Sequence, residues 1–338
     1  MEPAPFEVLY GFNSIYSALY MKRRNHLELY VRDTQLKEPN QKLRKLLSLA
    51  KKRNVRVRPL KKAQLLSITG DQQNQGVALK TSMLQPTDIS NTSIKELKKQ
   101  RLVVMLDGIQ DPHNFGAIVR SCHFFGVHTI IIPSTGSSPL SPAAHRASAG
   151  ALEAMKVFQT PSSLSQWLAE QQHHHHQSKS LNAQDKHEGQ EAYLHAYLQS
   201  AHQHEDNDMH IIGTAIEDEA KRPHHRYLKH ATKFNEELTE ANFYALADFC
   251  MELEQNPYHA ASSRLYVLIL GNEGKGMSSS LLPLCQTLIH IPSSPAPFLF
   301  QDDKQEEREQ KDIPLMVDSL NVSVSTGIAL YELSSRIL

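Results

Sequence analysis

The sequence predicts an α/β protein of two domains, a small one over residues 1–85 and a larger one over 101–338, joined by a linker at 86–100. Three observations predict it. Strand-like and helix-like segments alternate from Phe6 to Met83, the rhythm of a layered α/β unit. The stretch QPTDISNTS that follows has linker chemistry, rich in Pro, Ser, Thr and Asn. Beyond it, LVVML at 102–106 and LYVLIL at 265–270 are unbroken apolar runs, as strands buried on both faces require.

In the small domain FNSIYSALYMKRR reads as a helix, LELYVR as a strand, QKLRKLLSLAKKR as a helix, VRVRPL as a strand, KKAQLLSIT as a helix and GVALKTS as a strand. The larger domain opens on LVVML, followed by a turn and a helix. Three polar segments interrupt it, near 171–208, 217–263 and 293–313. The second carries an amphipathic pattern, EELTEANFYALADFCMELEQ, that predicts a helix. Each segment lies between core-like elements, so all three read as insertions.

Composition narrows the function classes. No apolar run approaches the roughly 18 residues of a membrane span. The opening MEPAPFEVLYG has two Glu and no Arg, unlike a signal or transit peptide. Cys122, Cys250 and Cys285 show neither metal-like nor paired spacing, which points to a reducing compartment. Of 19 histidines, 12 fall between residues 171 and 230, including the run His173 to His176. Their irregular spacing and low-complexity surroundings read as a polar tract, and no metal site is expected. Net charge is zero, yet residues 1–100 hold 19 Lys and Arg against 8 Asp and Glu, and the remainder 17 against 28. The basic first part suits a phosphate backbone, and an ordinary solvated surface reads the same way.

Three motifs carry the chemistry. In LDGIQDPHNFGAIVRSCHFFGV, residues 106–127, a strand ends at Leu106 and a helix begins near Asn114. Asn114 and Arg120 can look toward the strand end, where ligands of open α/β sheets gather, while Gly116 permits a close backbone. A helix-capping Asn and a solvated Arg read equally well. In LYVLILGNEGKGM, residues 265–277, a strand breaks into a loop whose glycines expose backbone groups, with Glu273 its only acid. Neither the phosphate-loop spacing nor the dinucleotide-fold spacing is present. LIHIP at 288–292 and DSLNVSVSTGIALYEL at 318–333 form the third. There Ser319 and Asn321 precede a helix whose apolar face carries Val324, Ile328 and Tyr331, and its first N–H groups suit a cap or an anionic ligand.

Taken in this order, N-x-G-x-x-x-R, G-x-E-G-x-G and S-L-N-V-S-V-x-T-G resemble the signature motifs of the SpoU (TrmH) branch of the SPOUT RNA 2′-O-methyltransferases. YGFNSIYSAL and NQGVAL resemble the start and end of that family's substrate-binding domain. The likeness covers residues 6–160, 209–216, 264–292 and 314–338, and is greatest to enzymes acting on a guanosine of bacterial or mitochondrial large-subunit rRNA. It implies a parallel sheet flanked by helices, with the C-terminal part threaded into a trefoil knot. It implies S-adenosyl-L-methionine as cofactor, held largely by backbone groups, with Gly271, Ile291 and Leu320 as candidates. By the same resemblance Arg120 acts at a ribose 2′-hydroxyl, Asn114 positions Arg120 or the ribose, and Glu273, Ser319 and Asn321 orient substrate and loops. A homodimer, an rRNA substrate and the precursor of the large ribosomal subunit are the implied partners, with no membrane. Lys51, Lys52, Arg53, Arg56 and Arg58 become phosphate-contact candidates. The insertions point to the mitochondrial branch, with a cytoplasmic enzyme as the alternative. Methylation of tRNA, or an rRNA-binding assembly factor without catalysis, are the competing functions.

Overall fold

The small domain is built from β1 (Phe6–Tyr10), α1 (Phe12–Met21), β2 (His26–Arg32), α2 (Asp33–Lys37), α3 (Gln41–Lys52), β3 (Arg56–Leu60), α4 (Lys62–Thr69) and β4 (Val77–Ser82). These elements come from a computed structural model that describes residues 6–177, 209–215, 242–255, 264–272, 274–292 and 319–338. The six segments expected from periodicity are present, and β1 and the short α2 are additional. The strands run in the order β1-β4-β2-β3, with β2 and β3 parallel and β4 antiparallel to both its neighbours. Asn40 starts α3 by accepting from the Leu43 N–H. Leu43, Leu46 and Ala50 then fall on one face and are buried with Leu9, Ile15, Leu19, Leu29 and Leu79. Lys51 and Lys52 in the last turn of α3 complement the helix dipole.

The stretch read as a linker is folded onto the larger domain. β5 (Thr87–Asp88) pairs in parallel with a strand of that domain, and α5 (Ile94–Lys98) follows a short 3-10 turn. Its polar residues are caps: Asp88 accepts from the Ser90 N–H and Ser93 from the Glu96 N–H. Between them Ile89 and Leu97 are buried in the larger core. Composition alone could not separate capping from linker chemistry.

The larger domain continues with β6 (Leu102–Leu106), α6 (Pro112–Phe124), β7 (Thr129–Ile132), α7 (Pro142–Ala147), β8 (Lys156–Gln159), α8 (Leu164–Gln177), β9 (Met209–Thr214), β10 (Asn242–Ala245), α9 (Leu246–Gln255), β11 (Leu265–Leu270), β12 (Thr287–His290) and α10 (Val322–Ile337). Its sheet runs β10-β12-β9-β11-β6-β7-β8-β5, and every pairing is parallel. Helices cover both faces, which explains the unbroken apolar runs. On β6, Leu102, Val104 and Leu106 join Phe115, Ile118, Phe249, Leu330 and Leu333 from α6, α9 and α10. Val103 and Met105 point the other way, to Trp167 and Leu168 of α8.

The stretch predicted as one amphipathic helix is only partly helical. Asn242–Ala245 forms the edge strand beside β12, with Phe243 opposite Leu288, and α9 begins at Leu246. The β-favouring Phe243 and Tyr244 form the centre of this strand. Residues 178–208, 216–241 and 293–318, which hold most of the expected insertions, lie outside the described residues. The run His173 to His176 falls in the last turn of α8, where the side chains are likewise outside them.

A buried charge cluster seals the seam between the domains. Arg24, fully buried, pairs with Glu7 of its own domain and approaches Glu153 of the larger one at 2.6 Å. Its other terminal nitrogen meets His145 Nε2. Arg23 donates to the Glu153 and Met155 carbonyls at 3.0 and 2.6 Å, ending the turn that follows α7. At Gly150 an added Cβ would sit 2.6 Å from the Asn13 carbonyl, so α1 and this turn touch through backbone.

Candidate active site

Strand order reverses between β6 and β11: the chain runs outward through β7 and β8, then returns to β9, β11 and β12 on the other side. Ligands of open α/β sheets settle at the carboxyl ends beside such a switch. All three motifs lie there.

Asp111 starts α6, accepting from the His113 and Asn114 N–H groups, with Pro112 in the first position. Asn114 is therefore in the first turn rather than at the cap, and its side chain is released for another contact. Gly116 lies where α7 crosses, since a Cβ there would be 2.5 Å from the Ala144 carbonyl and from the Ala147 side chain.

The glycine loop is held shut by backbone. Asn272 and Gly276 exchange N–H to carbonyl bonds at 2.9 and 2.8 Å. Gly271 is packed so tightly that a Cβ would lie 2.4 Å from the Met277 nitrogen. Of the glycines expected to adopt positive φ, Gly276 does so, at +67°. Two contacts fasten this loop to the first motif: Asp107 Oδ2 accepts from the Ser278 N–H at 2.6 Å, and Asn272 Nδ2 donates to the Gly108 carbonyl at 3.0 Å. The Asn272 Oδ1 also accepts from the Gly274 N–H. From β9, Thr214 Oγ1 donates to the Ile269 carbonyl and meets the Gly271 N–H. Glu273 lies outside the described residues.

Asn321 is the cap of α10. Its Oδ1 accepts from the Ser323 N–H at 3.0 Å, while its Nδ2 donates to Asn114 Oδ1 at 3.1 Å. The first and third motifs thus meet directly. Ser319 and Leu320 precede this cap and are exposed.

Arg120 stands apart from that pair. Six residues turn an α-helix through about 600°, so Asn114 and Arg120 point about 120° apart. Arg120 is exposed and bonds to no described residue. Toward the strand end, then, only Asn114 is engaged.

The face of α10 carrying Val324, Ile328 and Tyr331 is the outer one, 50%, 37% and 65% exposed. The core takes Val322, Ala329, Leu330, Leu333 and Ile337 instead. This helix has two apolar sides, and periodicity alone does not say which is buried.

The donor chemistry fits a cofactor held by main chain. Among the described residues, nothing bonds to the Gly271 carbonyl or to either backbone group of Ile291 and Leu320. Elsewhere, the basic cluster of the small domain divides. Arg53 caps α1, donating to the Leu19 and Tyr20 carbonyls at 2.8 and 3.1 Å. Arg56 and Arg58 flank Glu28 at 3.8 and 3.9 Å, and Lys51 and Lys52 are exposed. Asp107, Thr214 and Asn272 organise the site although sequence reasoning does not single them out. Asn272 stands in view between two glycines, but its partners are remote in sequence.

Comparison with known proteins agrees with this architecture. The SpoU rRNA Methylase family matches residues 101–214, and the RNA 2′-O ribose methyltransferase substrate-binding family matches residues 8–87. The chain is 27% identical over 333 residues to the mitochondrial rRNA methyltransferase 1 of Homo sapiens, spanning 98% of this chain and 73% of that protein. It is 31% identical over 152 residues to the 23S rRNA (guanosine-2′-O-)-methyltransferase RlmB of Nitrosomonas europaea, spanning 45% and 57%. The AdoMet-bound rRNA methyltransferase of Sinorhizobium meliloti shares the fold, with a TM-score of 0.54 at 16% identity over 98% of this chain and 88% of that one. Two adjoining family matches fall on the two sheets, and the three motifs converge at one switch point: the chain belongs to the SpoU rRNA methylase family.

Proposed function

We propose that this protein methylates a ribose 2′-hydroxyl of large-subunit rRNA, at a guanosine, with S-adenosyl-L-methionine as the methyl donor. The observation that carries the reading is the Asn321–Asn114 contact, which closes the third motif onto the first beside the glycine loop. Relatives named for this reaction support the substrate class, and mitochondrial relatives from Homo sapiens and Saccharomyces cerevisiae support a mitochondrial location.

S-adenosyl-L-methionine supplies an electrophilic methyl on a sulfonium. The chain's task is to hold donor and hydroxyl in line and to ease loss of the hydroxyl proton. Gly271, Ile291 and Leu320 would hold the cofactor through main-chain groups. Arg120, a permanent cation, would stabilise the developing alkoxide, with Asn114 and Asn321 fixing the ribose; Glu273 and Ser319 would orient the substrate and loops.

The reading includes a homodimer. Val324, Ile328 and Tyr331 expose an apolar stripe along α10, Leu320 is exposed just before its cap, and Phe124 of α6 is 81% exposed. A second copy laid on that stripe would bury it and enclose the outward-facing Arg120. The C-terminal trefoil knot belongs to the same proposal, supported by the family alone. Among the described residues no helix is long and apolar enough to cross a membrane.

The experiment is transfer of labelled methyl to large-subunit rRNA and to total tRNA, with the label mapped to ribose or base. Ribose label on rRNA is expected. Label on tRNA alone, or tight rRNA binding without transfer, would replace this reading with one of its competitors.

A further inference from the structure

One surface of the small domain is both aromatic and uniformly basic. α1 and α3 pack together. Residues 8–27 and 39–70, which contain both helices, hold no Asp or Glu, and 39–70 alone carry ten Lys or Arg. Tyr16 and Tyr20, one turn apart on α1, are 43% and 61% exposed. Their rings lie within 10° of parallel with centroids 6.2 Å apart. Neither hydroxyl bonds to a described residue. Two large rings held parallel and exposed serve no core.

The support under them is rigid. Arg53 ties the end of α3 to the Leu19 and Tyr20 carbonyls. Lys22 ends α1, and Lys51 and Lys52 fill the last turn of α3, whose next residue Arg53 holds the Tyr20 carbonyl, so the basic end of α3 meets the end of α1 that carries Tyr20. Asn13 shares the exposed side of α1 with the two tyrosines, and its carbonyl is where Gly150 comes close. The pair therefore sits beside the seam with the methyltransferase domain, which packs α7 against α6 and the first motif.

We propose that Tyr16 and Tyr20 form a stacking platform for an unpaired base of the RNA, with its neighbouring phosphates on Lys22, Lys51 and Lys52. The proposal rests on the RNA-methylating reading and goes beyond it by naming the form of RNA that is captured. Stacking needs an open base face, which a loop or single strand offers and a duplex hides. The cations where these two helix ends meet supply the sequence-independent attraction.

The test compares the full-length protein with Tyr16→Ala/Tyr20→Ala and with Tyr16→Phe/Tyr20→Phe. The probe is a short single-stranded RNA containing 2-aminopurine, against a duplex of equal length. The alanine pair should weaken single-strand binding about ten-fold or more and abolish the quenching of 2-aminopurine. The phenylalanine pair should restore both, and duplex binding should hardly move. Unchanged single-strand affinity in the alanine pair would overturn the platform, as would equal loss on the duplex or failure of phenylalanine to rescue. Tyrosine-dependent binding to phosphatidylserine vesicles with no effect on RNA would overturn it too, in favour of a lipid surface. Circular dichroism melts of both variants check folding. If wild-type protein transfers no methyl group yet shows tyrosine-dependent single-strand binding, the platform stands and the enzymatic reading falls. Full transfer with tyrosine-independent binding would keep the enzymatic reading and remove the platform.

Discussion

The Asn321 amide donates to Asn114 Oδ1 at 3.1 Å, joining side chains 207 positions apart. The same Asn321 accepts through Oδ1 from the Ser323 N–H and hydroxyl, at 3.0 and 2.6 Å. One side chain thus caps α10 and sets its start against α6. The two duties separate by substitution. Asn321→Ala should lose the cap, costing about 1 kcal/mol in urea unfolding. Asn321→Ser should recover most of that stability, because serine also caps. Serine is too short to reach Asn114, so methyl transfer should fall about 100-fold in both variants. Recovery of activity by serine would show that capping alone matters.

Arg120 makes no hydrogen bond to a described residue and is exposed. Its removal should leave folding within about 0.5 kcal/mol of wild type, as for most surface changes. Arg120→Ala should lower transfer by about 100- to 1,000-fold, the scale of losing one stabiliser of developing negative charge. Calorimetric titration should find S-adenosyl-L-methionine binding unchanged. Arg120→Lys should not rescue, because a point cation lacks the planar fork of donors. Joint loss of transfer and cofactor binding would assign Arg120 a structural role.

Gly271 and Gly274 lie in one loop with opposite tolerances. A Cβ on Gly271 would lie 2.4 Å from the Met277 nitrogen and 2.5 Å from the Gly276 carbonyl carbon, and backbone atoms cannot rotate away. On Gly274 the nearest atom would be 3.7 Å distant. Gly271→Ala should therefore cost about 1–3 kcal/mol and force the loop open. S-adenosyl-L-methionine affinity should fall at least about ten-fold with it, while Gly274→Ala binds normally. Equal affinities in the two variants would remove the loop from cofactor binding.

The outer stripe of α10 carries the dimer prediction. Ile328 and Tyr331 contribute exposed apolar surface and do not belong to the buried core. Ile328→Asp should leave the monomer folded and shift light-scattering mass from dimer to monomer. Transfer should fall with the dimer if a second copy encloses Arg120. Wild-type protein that is monomeric at micromolar concentration would end this part of the proposal.

Much of this is legible in the sequence, for identifiable reasons. The α/β alternation shows because period 2 and period 3.6 differ over short windows. Val103 and Met105 face one layer while Val104 and Leu106 face the other, so an unbroken apolar run correctly signals a doubly covered strand. Other features have no local signature. Ile89 and Leu97 are buried although their neighbours look like a linker, because Asp88 and Ser93 act as caps. Arg53 looks like a free cation in the sequence and is the cap of a helix in another part of the chain. The seam between the domains is invisible there, since Glu7, Arg24, His145 and Glu153 meet only after both domains fold.

That seam should make stability depend on pH through His145. Burial pushes its pKa well below the ordinary 6.5, and the positive Arg24 and Arg23 push it further. His145 is therefore neutral, and its 3.7 Å approach to Glu153 is not an ion pair. An unfolded chain takes up this proton near pH 6.5, whereas the folded chain refuses it until lower pH. The neutral histidine's contribution is thus present above the unfolded pKa and is lost as pH falls below it. Glu153 works in the opposite sense. Burial raises its pKa above 4.5 despite Arg24, so its contribution declines as pH rises from 4.5 through the folded value. His145→Gln removes the first effect and leaves the second. Urea unfolding at about pH 7.5 and about pH 5.5 should find wild type ahead at the higher pH. The gap should close on acidification by at most about 1.4 kcal/mol per pH unit, the limiting slope for one proton. A gap that is constant with pH would mean that His145 keeps an ordinary pKa and that the seam is open to water.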